Sequence, residues 1–270
     1  MTKLLQISDL HFGTELPDVV QALRALSNDK KPDVLVVSGD ITQRATPDEF
    51  SRARAFCDSL GAPHMVALPG NHDVPLYNLF ARVVEPYAAY RKFFGQQLES
   101  ELITPALCLV SVNTTRWWRH KNGEVSAAQI ERVCKQLSYA MPQQLRVVVV
   151  HQPVYVMRPQ DEHDRLQGWQ PAVRAWAAAG ADIVMGGHIH LPYVCELSST
   201  ALALSRRMWC VQAGTAVSSR VRHEAPNSVN LLVFSSGDEG PHCAVERWDY
   251  QAGTGRFALA HTSGLNLQRE

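Results

Sequence analysis

The sequence predicts an α/β fold in which a β-α-β-α-β segment and further strand-loop-helix units precede a second, largely antiparallel sheet that packs on the first. Three observations carry this prediction. Short apolar runs alternate with segments of helical period as far as Leu191, the polar ends of the early runs recur at a fixed interval, and from Pro192 onward the helical period disappears.

Residues 1 to 73 form the β-α-β-α-β segment. Leu4-Leu5-Gln6-Ile7, Val34-Leu35-Val36-Val37 and Met65 to Leu68 read as strands, while Leu16, Val19, Val20, Leu23 and Leu26 share one helical face, as do Phe50, Ala53, Cys57 and Leu60. The second helix has a start signal in Thr46 as N-cap, Pro47 at the first helical position and Glu49, with Gly61 as its stop. From Asp9 to Asp40 is 31 residues and from Asp40 to Asn71 again 31, room for a loop, a helix and a strand. The three strand ends should therefore be neighbours on one sheet edge.

Farther on, Leu79, Phe80, Val83, Tyr87, Tyr90, Phe93 and Phe94 form an aromatic stripe broken at Pro86, which predicts two short helices near the Asn71 loop, either covering the sheet or offering a surface on which a substrate ring could stack. Tyr77 and Asn78 stand closest to the Asn71 loop. Leu107 to Val112 is a strand ending at Asn113-Thr114-Thr115, and Ser126 with Gln129 forms a capping box ahead of Ile130, Val133 and Leu137. The loop Arg116-Trp117-Trp118-Arg119-His120-Lys121-Asn122-Gly123 has two readings: a solvated loop over two packed tryptophans, or a rim that meets an anionic, ring-bearing ligand. After Val147 to Val150, Pro153 and Pro159 should keep the chain out of helix through Arg158, Asp161, His163 and Asp164. A helix at Pro171 to Ala179 leads to Ile183-Val184-Met185. The later strands are Met208 to Ala213, Val229 to Phe234 and Cys243 to Trp248, the last two joined by the hairpin Ser236-Gly237-Asp238-Glu239-Gly240. One domain over residues 1–270 is expected, with its motif-bearing core in 1–250; residues 251–270 give no readable pattern.

Composition narrows the function. With 46% hydrophobic and 19% charged residues the chain has the makings of an ordinary globular core, and 26 Lys plus Arg against 26 Asp plus Glu supply no global positive field for long nucleic acid. The six cysteines never approach a C-x-x-C spacing, so they read as reduced, mostly buried thiols. No apolar run is long enough to span a bilayer and no leader is evident, which makes a cytoplasmic protein the default expectation.

The chemistry sits where the apolar runs end. Five runs lead into Asp9-Leu10-His11, Gly39-Asp40, Gly70-Asn71-His72-Asp73, His151 and Gly187-His188-Ile189-His190, and loops leaving the carboxyl ends of strands converge on one crevice. Carboxylate, imidazole and amide oxygen donors without thiolate suit borderline divalent ions such as manganese, iron, zinc or cobalt.

Together these blocks resemble the calcineurin-like metallophosphoesterases, in the family's order across residues 9 to 190. The resemblance implies a four-layer α-β-β-α sandwich of two mixed sheets with flanking helices, and a site for two divalent transition-metal ions. One would be held by Asp9, His11, Asp40 and His190, the other by Asp40, Asn71, His151 and His188, with Asp40 bridging. Ions so bridged sit about 3.5–4 Å apart, activate a water and clamp phosphoryl oxygens. His72 would face the leaving group as proton donor. Asp73 is read either as the carboxylate that orients His72 or as a turn carboxylate bonded to nearby backbone.

Within the family the chain looks most like the bacterial class III cyclic-nucleotide phosphodiesterases, departing from many of them in His151-Gln152-Pro153, where two adjacent histidines are common. The expected substrate is a small phosphodiester, a cyclic nucleotide or similar. Tyr77, Asn113, Arg116, Trp117 and His163 are candidate contacts. The motifs supply no Arg or Lys for a dianionic monoester, although Arg116, Arg119 and Lys121 could. Open alternatives are a UDP-diacylglucosamine-type pyrophosphatase of lipid A synthesis, which requires an apolar groove near residues 77–94, a phosphomonoesterase or nuclease, and a metal-binding scaffold without activity.

Overall fold

In the computed structural model, all residues are described except 77, 120, 201, 223–224, 238–239 and 269–270. In chain order the elements are β1 (Thr2–Ile7), α1 (Pro17–Lys30), β2 (Val34–Ser38), α2 (Pro47–Ser59), β3 (His64–Leu68), α3 (Leu79–Val84), α4 (Ala88–Phe94), β4 (Glu101–Ile103), β5 (Leu107–Ser111), α5 (Ala127–Ser138), β6 (Leu145–Val149), α6 (Trp169–Ala178), β7 (Ile183–Gly186), β8 (Tyr193–Glu196), β9 (Trp209–Gln212), β10 (Ser228–Gly237), β11 (Gly240–Gln251) and β12 (Arg256–Gly264). They make two mixed sheets of six strands, in the orders β12-β11-β10-β1-β2-β3 and β4-β5-β6-β7-β9-β8.

The strand period sorts side chains into layers. Leu4, Val34, Val36, Val66 and Leu68 of the first sheet pack against Leu107, Leu109, Val147, Val149, Ile183 and Met185 of the second. The alternate residues Leu5, Ile7, Leu35 and Val37 meet Leu23 of α1 and Phe50 and Phe56 of α2, while Val110, Val148 and Val184 meet Val133 of α5 and Trp176 of α6. Four layers result, α-β-β-α. Each fully buried Val or Leu contributes roughly 1.5–3 kcal/mol, and strands covered on both faces need apolar residues at every position, so the runs read as continuous. The capping boxes at Thr46 and Ser126 form as expected, and α3 and α4 are separate helices on either side of Pro86.

The second half of the chain departs from expectation. Strands after Pro192 do not build a sheet of their own: β10, β11 and β12 extend the first sheet antiparallel from β1, while β8 and β9 join the second sheet beside β7. The buried amides Gln6 and Asn230 bond across the β1–β10 pair, so this edge of β1 accepts a strand with a matching polar residue. Residues 256–264, unread in the sequence, pair as β12 with β11. Gly237 lies opposite Gly240 as the hairpin requires, and its expected tip, Asp238-Glu239, lies outside the described residues. Pro159–Asp164 is a short 3-10 helix rather than open loop, because a proline fits a first helical turn. All six cysteines are free. Among the described residues no helix is long and apolar enough to cross a membrane.

Candidate metal centre

The strand ends β1, β2, β3, β6 and β7 meet at one end of the sandwich, and there the backbone leaves the strands through left-handed turns. Asp9 (φ 53°), His11 (43°), Asp40 (50°), His188 (75°) and His190 (55°) are five of the eight non-glycine residues with positive φ among the described residues. Each such residue costs on the order of 1–2 kcal/mol, so their concentration marks a place held against local preference. The compensation is visible in the backbone: Asp9 N donates to Gly39 O (3.0 Å), His11 N to Asp40 O (3.0 Å) and Gly187 N to His151 O (2.8 Å). Two glycines permit the approach. A Cβ on Gly70 would lie 2.1 Å from Asp40 N, and one on Gly187 would lie 1.9 Å from Ser8 Oγ.

These turns gather the donors into two neighbouring clusters, Asp9 with His11 and His190, and Asp40 with His151 and His188, linked by a third group, His11 with Asp40 and His72. His190 Nε2 is 3.2 Å from Asp9 Oδ1 and 3.1 Å from His11 Nε2; His11 Nε2 is 3.7 Å from Asp40 Oδ2; His151 Nε2 is 3.3 Å from Asp40 Oδ1 and 3.2 Å from Asn71 Oδ1. Backbone carbonyls aim the rings. His151 Nδ1 donates to Ser38 O at 2.8 Å and His190 Nδ1 to Arg220 O, which leaves each Nε2 toward the carboxylates.

Two features of these residues fit divalent cations. Asp9 and Asp40 are buried, and among the described residues neither pairs with a Lys or Arg, only with imidazoles. Buried carboxylates need positive charge beside them. His188 is also buried; its Nδ1 has no hydrogen-bond partner among the described residues, and its Nε2 stands 3.6 Å from Asp164 Oδ1, beyond hydrogen-bond distance. Burial alone would raise the Asp9 carboxyl, but His190 and His151 hold it at about 2. Against the same desolvation, Asp40 is held well below the carboxylate range by His151, His72 and His11. Burial opposes a charge on His151, yet Asp40 and Asp9 lift it to about 9; His11, where burial wins, falls to about 3.

The clusters open into a cleft of about 420 Å³ whose lining includes Asp40, Asn71, His72, Lys121, His188 and Arg220. His72 Nδ1 donates to Gln43 O (3.1 Å), so the neutral ring offers Nε2 as acceptor, 3.0 Å from Arg220 Nη1. Asp73 does not orient His72. Its Oδ2 accepts from Gly70 N (2.8 Å) and Ile41 N (3.0 Å), its Oδ1 from Thr42 N and Thr42 Oγ1 (both 2.8 Å), so it is the turn carboxylate that ties the Asn71 loop to the Asp40 loop.

The expected substrate contacts fare differently. Asn113 Oδ1 accepts from Thr115 N (3.0 Å), and Arg116 bonds Asn113 O (3.0 Å) and Gln129 Oε1 (2.7 Å). Both line a separate depression with Arg91 and Gln96, because the chain after β5 turns toward the start of α5 instead of the cleft. Trp117 and Trp118 are 40% and 57% exposed and not packed beneath their loop; Trp117 O accepts from Arg82 Nε of α3. His163 is exposed beside the cleft, 3.4 Å from Lys121 Nζ and 3.3 Å from Asp164. Tyr77 lies outside the described residues. Of the three candidate cations, Arg119 pairs with Glu124 and only Lys121 reaches the cleft, against Asp164 at 2.6 Å. Sequence reasoning missed Arg220 and Arg222, which enter on the loop between β9 and β10, where no periodicity or spacing marks them.

Fold and site define a phosphoesterase class, and the family model described as Calcineurin-like phosphoesterase matches residues 2–192. The chain belongs to that family. It is similar to a probable cyclic nucleotide phosphodiesterase of Synechococcus (33% identity, 27% of this chain and 31% of that one) and to a UDP-2,3-diacylglucosamine pyrophosphatase of Chlamydia trachomatis (36% identity, 42% and 41%). These matches span less than half the length of either relative. A dimetal phosphatase of Danio rerio shares the fold, with a TM-score of 0.68 at 12% identity over 99% of both chains.

Proposed function

We propose that the protein is a divalent-metal-dependent phosphodiesterase that hydrolyses a small phosphodiester, a cyclic nucleotide or similar, as one domain acting in the cytoplasm. The observation that carries this reading is the pair of buried carboxylates, Asp9 and Asp40, faced by imidazole Nε2 atoms and by no Lys or Arg among the described residues. Asp9, His11, Asp40 and His190 would hold one cation and Asp40, Asn71, His151 and His188 a second. Bound there, divalent ions supply a water-derived nucleophile near neutral pH and neutralise phosphoryl charge. Asp40 Oδ1 accepts from His72 N at 2.8 Å, which fixes the His72 backbone relative to both clusters. A His72 ring protonated at both nitrogens keeps its bond to Gln43 O and presents Nε2–H to the departing oxygen.

Lys121 is spent on Asp164 (2.6 Å) and Arg222 on Asp161 (3.1 Å), so Arg220 is the cleft cation with no carboxylate among the described residues. A second reading, a pyrophosphatase acting on a lipid-linked diphosphate, draws support from α3, where Leu79, Phe80, Val83 and Val84 are 58–77% exposed close to the His72 loop. The test is kcat/KM under one metal and pH for cyclic AMP, p-nitrophenyl phosphate, a UDP-linked acyl sugar and a short oligonucleotide. A diester ahead by more than tenfold, about 1.4 kcal/mol of transition-state binding, supports the first reading. The acyl sugar ahead by that margin installs the second, and the monoester ahead rejects both.

A further inference from the structure

We propose that Arg220 is the side chain that recognises the phosphoryl oxygens of the substrate, and that its contact with His72 is a resting contact which a phosphoryl oxygen displaces; the proposal rests on the phosphoester reading of the same cleft. Arg220 Nη1 faces two acceptors, His72 Nε2 at 3.0 Å and Gln43 Oε1 at 3.2 Å, and lies 3.2 Å from His11 Nδ1, which carries the ring proton when His11 Nε2 serves as a ligand. The two N–H groups of Nη1 are thus matched by two acceptors, with the His11 ring as a neighbour that competes for neither. Arg220 Nε and Nη2 meet no acceptor among the described residues. A planar, permanently charged fork with spare donors, beside the donors that would hold cations, matches a group with two non-bridging oxygens.

The main chain is already fixed for this use. Arg220 O accepts from His190 Nδ1 and from Thr215 Oγ1 (3.3 Å), and Arg220 N donates to Ser218 Oγ (3.3 Å). The guanidinium therefore turns toward a ligand by side-chain rotation while His190 stays aimed at Asp9. Leaving His72 Nε2 frees that nitrogen for the departing oxygen. While it faces Arg220 that nitrogen carries no proton, so it must take one from water before it can pass one to the departing oxygen.

Inorganic phosphate is the probe. Manganese-loaded wild type, Arg220→Ala and Arg220→Lys are titrated with phosphate by calorimetry, with the metal content of each measured by elemental analysis. Arg220→Ala should keep its metal and bind phosphate about 10- to 100-fold more weakly, the usual range for losing a hydrogen bond to a charged group. Arg220→Lys should fall between, and KM for a phosphodiester should rise by a larger factor than kcat falls. Unchanged phosphate affinity in Arg220→Ala overturns the proposal, as does a wild type that binds no phosphate. Loss of metal together with phosphate also overturns it, by assigning Arg220 to the cluster's architecture. Because binding is read without turnover, a protein that binds phosphate through Arg220 but hydrolyses no phosphoester refutes the hydrolase reading alone.

Discussion

Gly70→Ala isolates the close approach on which the site is built. Gly70 has φ −96° and ψ −176°, extended backbone that alanine adopts freely, so the substitution carries no conformational penalty. The whole cost is contact. The added Cβ would lie 2.1 Å from Asp40 N, 2.2 Å from Asp40 Oδ1 and 2.8 Å from Asp40 Cα, and relief to an ordinary separation requires the two loops to part by about 1 Å. That movement pulls Asp40 Oδ1 from His72 N (2.8 Å) and Asp73 from Ile41 N (3.0 Å) and Thr42 N (2.8 Å). Overpacking of this kind costs typically about 1–3 kcal/mol of stability. A displacement of about 1 Å at reacting groups costs on the order of 100-fold in rate. Thermal melting, metal content and turnover of bis(p-nitrophenyl) phosphate should therefore show a folded protein, melting several degrees lower, that turns over about 100-fold more slowly. Wild-type turnover and metal content in a folded Gly70→Ala protein would refute the argument that Asp40 and the Asn71 loop are held by contact.

Asp40→Asn should lower metal affinity about 100-fold or more, since it removes the one charge that both proposed cation sites would share; elemental analysis after dialysis against buffered manganese checks this, and wild-type occupancy means Asp40 does not bridge. His72→Ala should keep its metal and slow turnover by about 10²–10⁴-fold on esters with alkoxide leaving groups, with a smaller loss on p-nitrophenyl esters; equal losses assign His72 another role. A third expectation concerns pH. His151 is raised to about 9 in the metal-free protein from 6.5, so the stability it contributes is full below pH 6.5 and is lost as pH rises through 9, and His190 shifts in the same direction. Metal binding needs the deprotonated rings. The rise in melting temperature on adding manganese should grow between pH 6.5 and 9, and a constant rise contradicts the assignment of these rings as ligands.

Much of the architecture was legible where local and global signals agree. Thr46 and Ser126 mark helix starts with their own hydrogen bonds, Pro86 separates α3 from α4, and the spacing Asp9, Asp40, Asn71 follows from β1, β2 and β3 being adjacent parallel strands. The donor cluster was legible for the same reason, because each of its members directly follows a strand. Sheet membership of the later strands was not: β8 and β12 are edge strands, and an apolar run does not state which sheet's edge it will cover. Asn113 misled because β5 ends like its neighbours, yet its end faces Gln129 and Glu99 rather than the cleft. Arg220 left no signal at all, since a loop residue placed by hydrogen bonds from Thr215 and His190 and by its own to Ser218 has no period to read.

If the buried carboxylates and imidazoles at these strand ends serve divalent cations, phosphoester hydrolysis must follow the metal. This dependence is tested most directly by following bis(p-nitrophenyl) phosphate hydrolysis by the purified protein before chelation, after exhaustive chelation verified by elemental analysis, and after manganese is restored. Hydrolysis should disappear with the metal and return with it, the fold being retained throughout by circular dichroism. Full hydrolysis by metal-free protein would contradict this dependence.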